Sequence, residues 1–282
     1  MLGRNCGRAP RCSQWYTVPH PRRQKLGQHF LADSGFRRRI ADSLNVRTGD
    51  LVIEIGAGRG AMTGLLAERA SHVVAIELDR GLVEKLKEMF RGDPRIEILK
   101  ADILSTDFAA LCRRYETEKC FVFGNLPYYI TSPILDHLGN FRDAIRDMAL
   151  LVQREVADRL IAAPGSSDYG YLSVFVQLFS QPRFLFAVPP GAFSPPPKVH
   201  SALVGFQIHP RLPKLSAKEQ GKFLTFVKRC FAQKRKNILN NLSGMAPRAR
   251  LELTLDQVEL PATVRAEQMS IEQFAELFAR LA

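Results

Sequence analysis

The chain has 282 residues, 46% hydrophobic and 24% charged, and its 40 Lys+Arg against 28 Asp+Glu give a net charge of +12. That length supports one α/β domain with a smaller appendage, and the basic surplus favours a polyanionic partner, either nucleic acid or an anionic membrane surface. No apolar run approaches the ~20 residues of a membrane span, no signal-peptide core follows Met1, and five cysteines (Cys6, Cys12, Cys112, Cys120, Cys230) without CxxC spacing argue against a disulfide framework or a metal site.

Residues 1–24 carry Arg4, Arg8, Arg11, Arg22 and Arg23, three prolines and no acid. With no apolar periodicity they read as a basic tail, disordered or loosely docked. An organelle transit peptide shares the acid-free, Arg-rich composition, but this segment is poor in Ser and lacks an amphipathic period.

From about residue 46 strands and helices alternate. Leu51–Ile55 is an apolar strand, and a helix from Ala61 to Arg69 follows a glycine loop. His72–Ile76 is the next strand, ending at Glu77, with a helix from about Arg80 to Phe90. Ile96–Leu99, Phe121–Gly124 and Ala149–Val152 are further strands, the last running into a helix over Arg154–Ile161. Two β-rich runs, Phe184–Val188 and Ala202–Ile208, flank a Pro-rich segment from Pro189 to Pro197. This alternation predicts an α/β fold: a mostly parallel, doubly wound sheet with helices on both faces. His209–Gln220 is polar with two prolines, a linker. Beyond it Phe223, Phe226, Val227, Cys230 and Phe231 recur at helical spacing, Ile238, Leu239 and Leu242 continue the stripe, and Ile271–Leu281 is a last helix. The expected divisions are a tail (1–24), an α/β domain (25–208) and a small C-terminal helical domain (209–282).

Three signals fall at the ends of successive strands. Glu54-Ile55-Gly56-Ala57-Gly58-Arg59-Gly60 opens the first helix, where glycines permit a tight turn and close ligand approach. It fits both a loosened dinucleotide fingerprint and the ExGxGxG loop of S-adenosylmethionine sites. Glu77 stands 77 − 56 = 21 residues past Gly56, placed to accept both ribose hydroxyls of an adenosine. Asp102, after the third strand, is placed to meet an adenine amine.

Asn125-Leu126-Pro127-Tyr128 follows the fourth strand and decides between the two cofactors. The exocyclic amine of adenine is a poor nucleophile because its lone pair is delocalised into the ring. An Asn side-chain oxygen (Asn125) and the following backbone carbonyl (Leu126) can each accept one N–H and draw the nitrogen toward tetrahedral geometry. Pro127 fixes the turn, and Tyr128 offers a flat face for a base. Hydride transfer has no use for an amine clamp, so S-adenosylmethionine is the expected cofactor and methyl transfer the expected reaction. The seven strands then suit a Rossmann-like methyltransferase sheet.

With these motifs stand Lys25-Leu26-Gly27-Gln28-His29-Phe30-Leu31, Gln153–Leu160, Phe193-Ser194-Pro195-Pro196-Pro197-Lys198-Val199 and Phe231-Ala232-Gln233-Lys234-Arg235-Lys236-Asn237. Together they resemble the KsgA family of rRNA adenine dimethyltransferases, over about Lys25 to Leu242. The resemblance implies dimethylation of N6 on two adjacent adenosines in the 3′-terminal hairpin loop of 16S rRNA, within the immature small ribosomal subunit, by a cytoplasmic, monomeric enzyme. It places His29, Leu31, Gly56, Glu77, Asp102 and Asn125 at the cofactor. Phe193 is the candidate for the base face opposite Tyr128. The sequence departs from the family pattern at His29 (usually Asn), Tyr129 (usually Asn) and His200 (usually Asp).

Residues 211–250 hold 11 Lys+Arg against one acid, Glu219. Lys228, Arg229, Lys234, Arg235 and Lys236, behind the apolar helix stripe, are the expected RNA-docking cations. Two other readings stay open: a 23S rRNA methylase of the erythromycin-resistance type, and a noncatalytic ribosome-assembly or transcription factor on the same scaffold.

Overall fold

The computed structural model describes residues 29–212 and 215–281. The basic tail, the Lys25–Gln28 part of the N-terminal motif, and Pro213 and Lys214 of the linker lie outside the described residues.

In chain order, β1 (Phe30–Leu31) and α1 (Ser34–Ser43) precede the alternating units β2 (Leu51–Ile55), α2 (Thr63–Ala67), β3 (His72–Glu77), α3 (Arg80–Met89), β4 (Ile96–Lys100), α4 (Phe108–Arg114), β5 (Cys120–Asn125), α5 (Thr131–Asn140), β6 (Ile145–Gln153) and α6 (Arg154–Ile161). Then come α7 (Tyr171–Phe179), β7 (Ser180–Val188), β8 (Phe193–Ser194) and β9 (Ser201–Ile208), followed by α8 (Ala217–Cys230), α9 (Ile238–Asn241), α10 (Arg248–Gln257) and α11 (Ile271–Leu281).

The seven-stranded sheet has the order β4-β3-β2-β5-β6-β9-β7. Strands β2 to β6 run parallel, and β9 lies antiparallel between β6 and β7. All five residues of β2 are buried, as a parallel strand covered on both faces requires. The chain moves outward from β2 through β3 to β4, then returns to β5 on the other side of β2. The crevice at the carboxyl ends of β2 and β5 is therefore the topological switch point, where such sheets bind ligands. Short, capped connections keep those ends aligned: Asp79, two residues past β3, accepts the Leu82 N–H at 3.0 Å and starts α3 at once.

One apolar cluster, with Ile53, Val122 and Leu150, packs against α4, α5 and α7, and a second, with Val52, Phe121 and Leu151, packs under α1 and α2. A third unites α8 to α11 through Phe223, Val227, Leu255 and Phe274. It also takes in Ala162, Tyr169, Val174 and Leu178, so the C-terminal helices are rooted on α7 and the loop before it, upstream of residue 209.

The helix expected to run on from α8 is interrupted. It ends at Cys230, and residues 231–237 form a turn before α9, so Lys234, Arg235 and Lys236 sit on a connection. The helix expected from Ala61 starts at Thr63, because residues 58–62 are turn.

Candidate active site

The glycine loop is held open by its own backbone. Gly56, Gly58 and Gly60 have φ of 71°, 58° and 76°, a region that disfavours residues with a Cβ. A Cβ on Gly60 would meet Leu86 and Phe90 at 2.9 Å, and one on Gly58 would meet the Phe30 ring at 3.0 Å. The loop passes under β1 on one side and over α3 on the other with no room for a side chain. Behind it the buried Glu54 accepts the Thr63 hydroxyl at 2.6 Å, tying the end of β2 to the start of α2. Burial pushes the Glu54 carboxyl up to about 8, so it is chiefly neutral at pH 7.

Glu77, only 4% exposed, collects three backbone donors. Gly58 N–H reaches Oε2 at 2.9 Å, while Leu78 and Asp79 N–H reach Oε1 at 2.9 Å each. A carboxylate has about four acceptor sites, so one remains, on Oε2. The sequence suggests an acid that accepts both ribose hydroxyls; the folded carboxylate has one acceptor site left for them, since the other three fix the glycine loop to the end of β3. Asp102 caps the turn after β4 through Oδ1, which accepts the Leu104 N–H at 2.9 Å.

Asn125 ends β5, and its side-chain amide donates to the His29 carbonyl at 3.0 Å. That bond uses the amide nitrogen and leaves Oδ1 as the side chain's acceptor. Leu126 is buried, and its N–H donates to Leu151 O at 3.1 Å. Its carbonyl is thus held between that anchored peptide and Pro127, whose φ is −61°. The Tyr128 hydroxyl shares a hydrogen bond with Ser201 at 2.7 Å. Its ring lies 5.7 Å from the His29 imidazole at 29°, and His29 Nδ1 meets Pro195 O at 2.8 Å. Burial raises the Tyr128 pKa, with the Ser201 bond opposing it, so the phenol stays neutral. His29 therefore links the N-terminal motif, the Asn125 side chain and the Pro-rich segment.

These residues line one cleft of about 860 Å³, including its mouth, with Gly56, Glu77, Asp102, Asn125 and Tyr128 all on its wall. Among the described residues no group of His, Cys, Asp or Glu has the arrangement of a metal site. The glycine cradle, the open Glu77 acceptor and the second Asp102 oxygen fit the adenosine of S-adenosylmethionine.

Two expected site residues are not at the cleft. Leu31 is buried with Ile40 and Phe193 under the sheet; its neighbour Phe30 lines the cleft instead. Successive residues of a strand point to opposite faces, and this one presents Phe30, whose ring lies against Gly58 and under the Arg59 guanidinium at 4.4 Å. Phe193 pairs with Leu31 across β1 and β8 and is 4% exposed in the same core cluster. It is folded as a core side chain with no open face for a base. Leu78 and Tyr129, 54% and 60% exposed, form part of the rim. Leu78 follows directly on Glu77, the one signal by which it was findable.

The cations of the C-terminal region divide. Arg229 donates to Ser243 O at 2.7 Å and Lys234 to Ser167 O at 2.6 Å. The side chains of Arg235 and Lys236 are exposed and have no partner among the described residues.

Comparison with known proteins agrees with this geometry. The family description "Ribosomal RNA adenine dimethylase" matches residues 20–282. A protein of Acidobacterium capsulatum named ribosomal RNA small subunit methyltransferase A is 42% identical over 96% of this chain and 95% of its own length. One of the same name from Koribacter versatilis is 40% identical over 92% of this chain and 94% of its own. Among solved structures, the 23S rRNA methyltransferase ErmE superposes with a TM-score of 0.68 at 30% identity, over 89% of this chain and 99% of that one. A dimethyladenosine transferase from Plasmodium falciparum superposes with a TM-score of 0.74 at 24% identity, over 88% and 96% of the two chains, a likeness of fold.

Proposed function

Since the chain belongs to the ribosomal RNA adenine dimethylase family, we propose that its targets are two adjacent adenosines in the 3′-terminal hairpin loop of 16S rRNA, in the immature small subunit. The enzyme is an rRNA adenine dimethyltransferase, and its methyl donor is S-adenosylmethionine. The small-subunit target is favoured over the 23S alternative by the 42% identity to a small-subunit methyltransferase, against 30% to ErmE.

One observation carries the mechanism: Asn125 enters the cleft with its amide nitrogen already bonded to His29 O. When bound, S-adenosylmethionine supplies an electrophilic sulfonium methyl. Asn125 Oδ1 and the Leu126 carbonyl accept the two N–H groups of the target amine, freeing its lone pair for in-line attack. As positive charge grows on that nitrogen, both acceptors stabilise it, and neither has to reorient. After the first transfer the cationic nitrogen releases one proton to water and keeps one N–H, so one acceptor retains its donor. Tyr128 stacks on the flipped base, its ring fixed at one edge by Ser201 and flanked by His29. The neutral amine needs no strong base, and positioning supplies most of the acceleration.

The test is methyl-labelled S-adenosylmethionine offered to immature small subunits and to large-subunit rRNA, with the labelled nucleotides mapped. Label on two adjacent small-subunit adenosines supports the reading. Label confined to the large subunit returns it to the erythromycin-resistance type.

A further inference from the structure

The turn carrying Lys234, Arg235 and Lys236 is too short and too polar to hold its shape through apolar burial: residues 232–236 are all exposed. It nevertheless has an internal scaffold in one side chain. Asn241, the last residue of α9, is 8% exposed. The two N–H groups of its amide reach three carbonyls, Cys230 O at 2.7 Å, Gln233 O at 3.2 Å and Lys236 O at 3.4 Å, one N–H being shared, and its oxygen accepts the Gln233 N–H at 3.1 Å. Cys230 closes α8, where the last carbonyls lack helical partners, so the same amide caps that helix. Neighbours in α9, Ile238 and Leu239, are buried in the C-terminal core, which anchors the side chain from below.

We infer that Asn241 is a positioning residue for RNA docking: it folds residues 231–237 into the turn that presents the adjacent Arg235 and Lys236, which have no ion pair among the described residues, toward a phosphate backbone. The inference rests on the reading of this turn as an RNA-docking element. It follows from the chemistry of an amide, which alone among small side chains brings two N–H donors and one acceptor to the same point. An aspartate of the same shape would set a carboxylate against three carbonyl oxygens.

The experiment is a double-mutant cycle in the full-length enzyme between Asn241→Ala and the pair Arg235→Gln/Lys236→Gln, read by KM for immature small subunits and its salt dependence. Each lost phosphate contact makes the log–log salt slope shallower by roughly 0.7–0.9, so Asn241→Ala alone should flatten it by up to about 1.4–1.8. The kcat at saturating substrate and the affinity for S-adenosylmethionine should hold. In the Arg235→Gln/Lys236→Gln background the Asn241→Ala effect on KM should vanish, because Asn241 acts only through those cations. An Asn241→Ala effect of equal size in both backgrounds makes the residue a general stabiliser and overturns the inference. If the Arg235→Gln/Lys236→Gln enzyme itself binds subunits normally, the RNA-docking reading and the inference fall together. Wild-type amide exchange needs no variant: the Gln233 N–H should be protected, and free exchange there would break the scaffold directly.

Discussion

The cleft at the sheet ends and the basic turn of the C-terminal helices carry the residues proposed for cofactor and RNA, yet they are built on different rules. In the cleft the ligand-facing groups are themselves hydrogen-bonded: Asn125 to His29, Glu77 to three backbone amides, Asp102 to Leu104 and Tyr128 to Ser201. In the turn the backbone is fixed by Asn241, while Arg235 and Lys236 have no ion pair among the described residues. Methyl transfer depends on orientation to a fraction of an ångström, so each cleft side chain needs a second bond to aim the first. Phosphate attraction depends on charge and location, and a long cationic side chain satisfies it without being aimed.

Asn125→Ala probes the aimed end most severely. Removing one directed acceptor should lower kcat for methyl transfer by about 10²–10³, while the protein melts cooperatively near its original temperature. Near-normal turnover by the folded variant would reduce Asn125 to a turn former.

Glu77→Ala comes next. Hydrogen bonds to a charged group are worth about 1.5–3 kcal/mol, so the affinity for S-adenosylmethionine should fall roughly tenfold to a hundredfold by titration calorimetry. Unchanged affinity would leave Glu77 as a clasp for the glycine loop alone.

Glu54 tests the cleft's foundation through pH. Its carboxyl titrates at about 8 in the folded protein, raised from 4.5 chiefly by burial. Between those values the folded state holds the proton that the unfolded chain releases, so stability falls as pH rises through that window. The slope contributed by this one group is up to about 1.4 kcal/mol per pH unit. Glu54→Gln should flatten the decline of melting temperature from pH 5 to pH 8. A variant whose decline matches the wild type would show that Glu54 does not titrate there.

The same contrast explains what could be read from the residues alone. Strands β2, β3 and β5 and the second half of β6 were legible because buried parallel strands are nearly unbroken apolar runs, β4 because Ile96, Ile98 and Leu99 stand close together although it is half-buried at the sheet edge, and α6 and α11 because each has one apolar stripe. Helix α7 escaped because Leu172 to Phe179 are buried on nearly every side, which erases helical periodicity. Helix α1 escaped because Arg37, Arg38 and Arg39 interrupt its pattern and only Ile40 and Ala41 are buried. Within the site, NLPY and the glycine loop announced themselves as chemistry, whereas the choice between Phe30 and Leu31 depended on which face of β1 meets the cleft. The break after Cys230 was hidden because Asn241, eleven residues along, supplies the bonds that stop α8.

Arg235→Gln and Arg229→Gln remove the same charge from neighbouring places and should act differently. The former should flatten the salt slope of subunit binding by roughly 0.7–0.9 with stability unchanged. The latter breaks bonds to Asn241 O and Ser243 O and should cost about 1 kcal/mol of stability. Equal effects of the two on the salt slope would dissolve the distinction between structural and docking cations.

Tyr129 gives the smallest and most discriminating effect, because it lies on the rim between the two regimes. Residues 128–130 form a 3₁₀ turn with about three residues per turn, so consecutive side chains diverge by a third of a circle. Tyr128 turns to Ser201 and His29, while the Tyr129 pKa is raised by partial burial and then by the Asp102 charge. Tyr129 lines the same cleft as Asp102, beside which the cofactor's adenine is expected. A ring contact there is worth about 0.5–1.5 kcal/mol, so Tyr129→Asn should weaken S-adenosylmethionine binding roughly two- to tenfold. Tyr129→Phe should restore it, since the face and not the hydroxyl makes the contact. Subunit affinity should stay constant in both variants. If Tyr129→Asn instead weakens subunit binding and leaves the cofactor untouched, the ring serves the RNA, and the aimed region of the molecule ends at Tyr128.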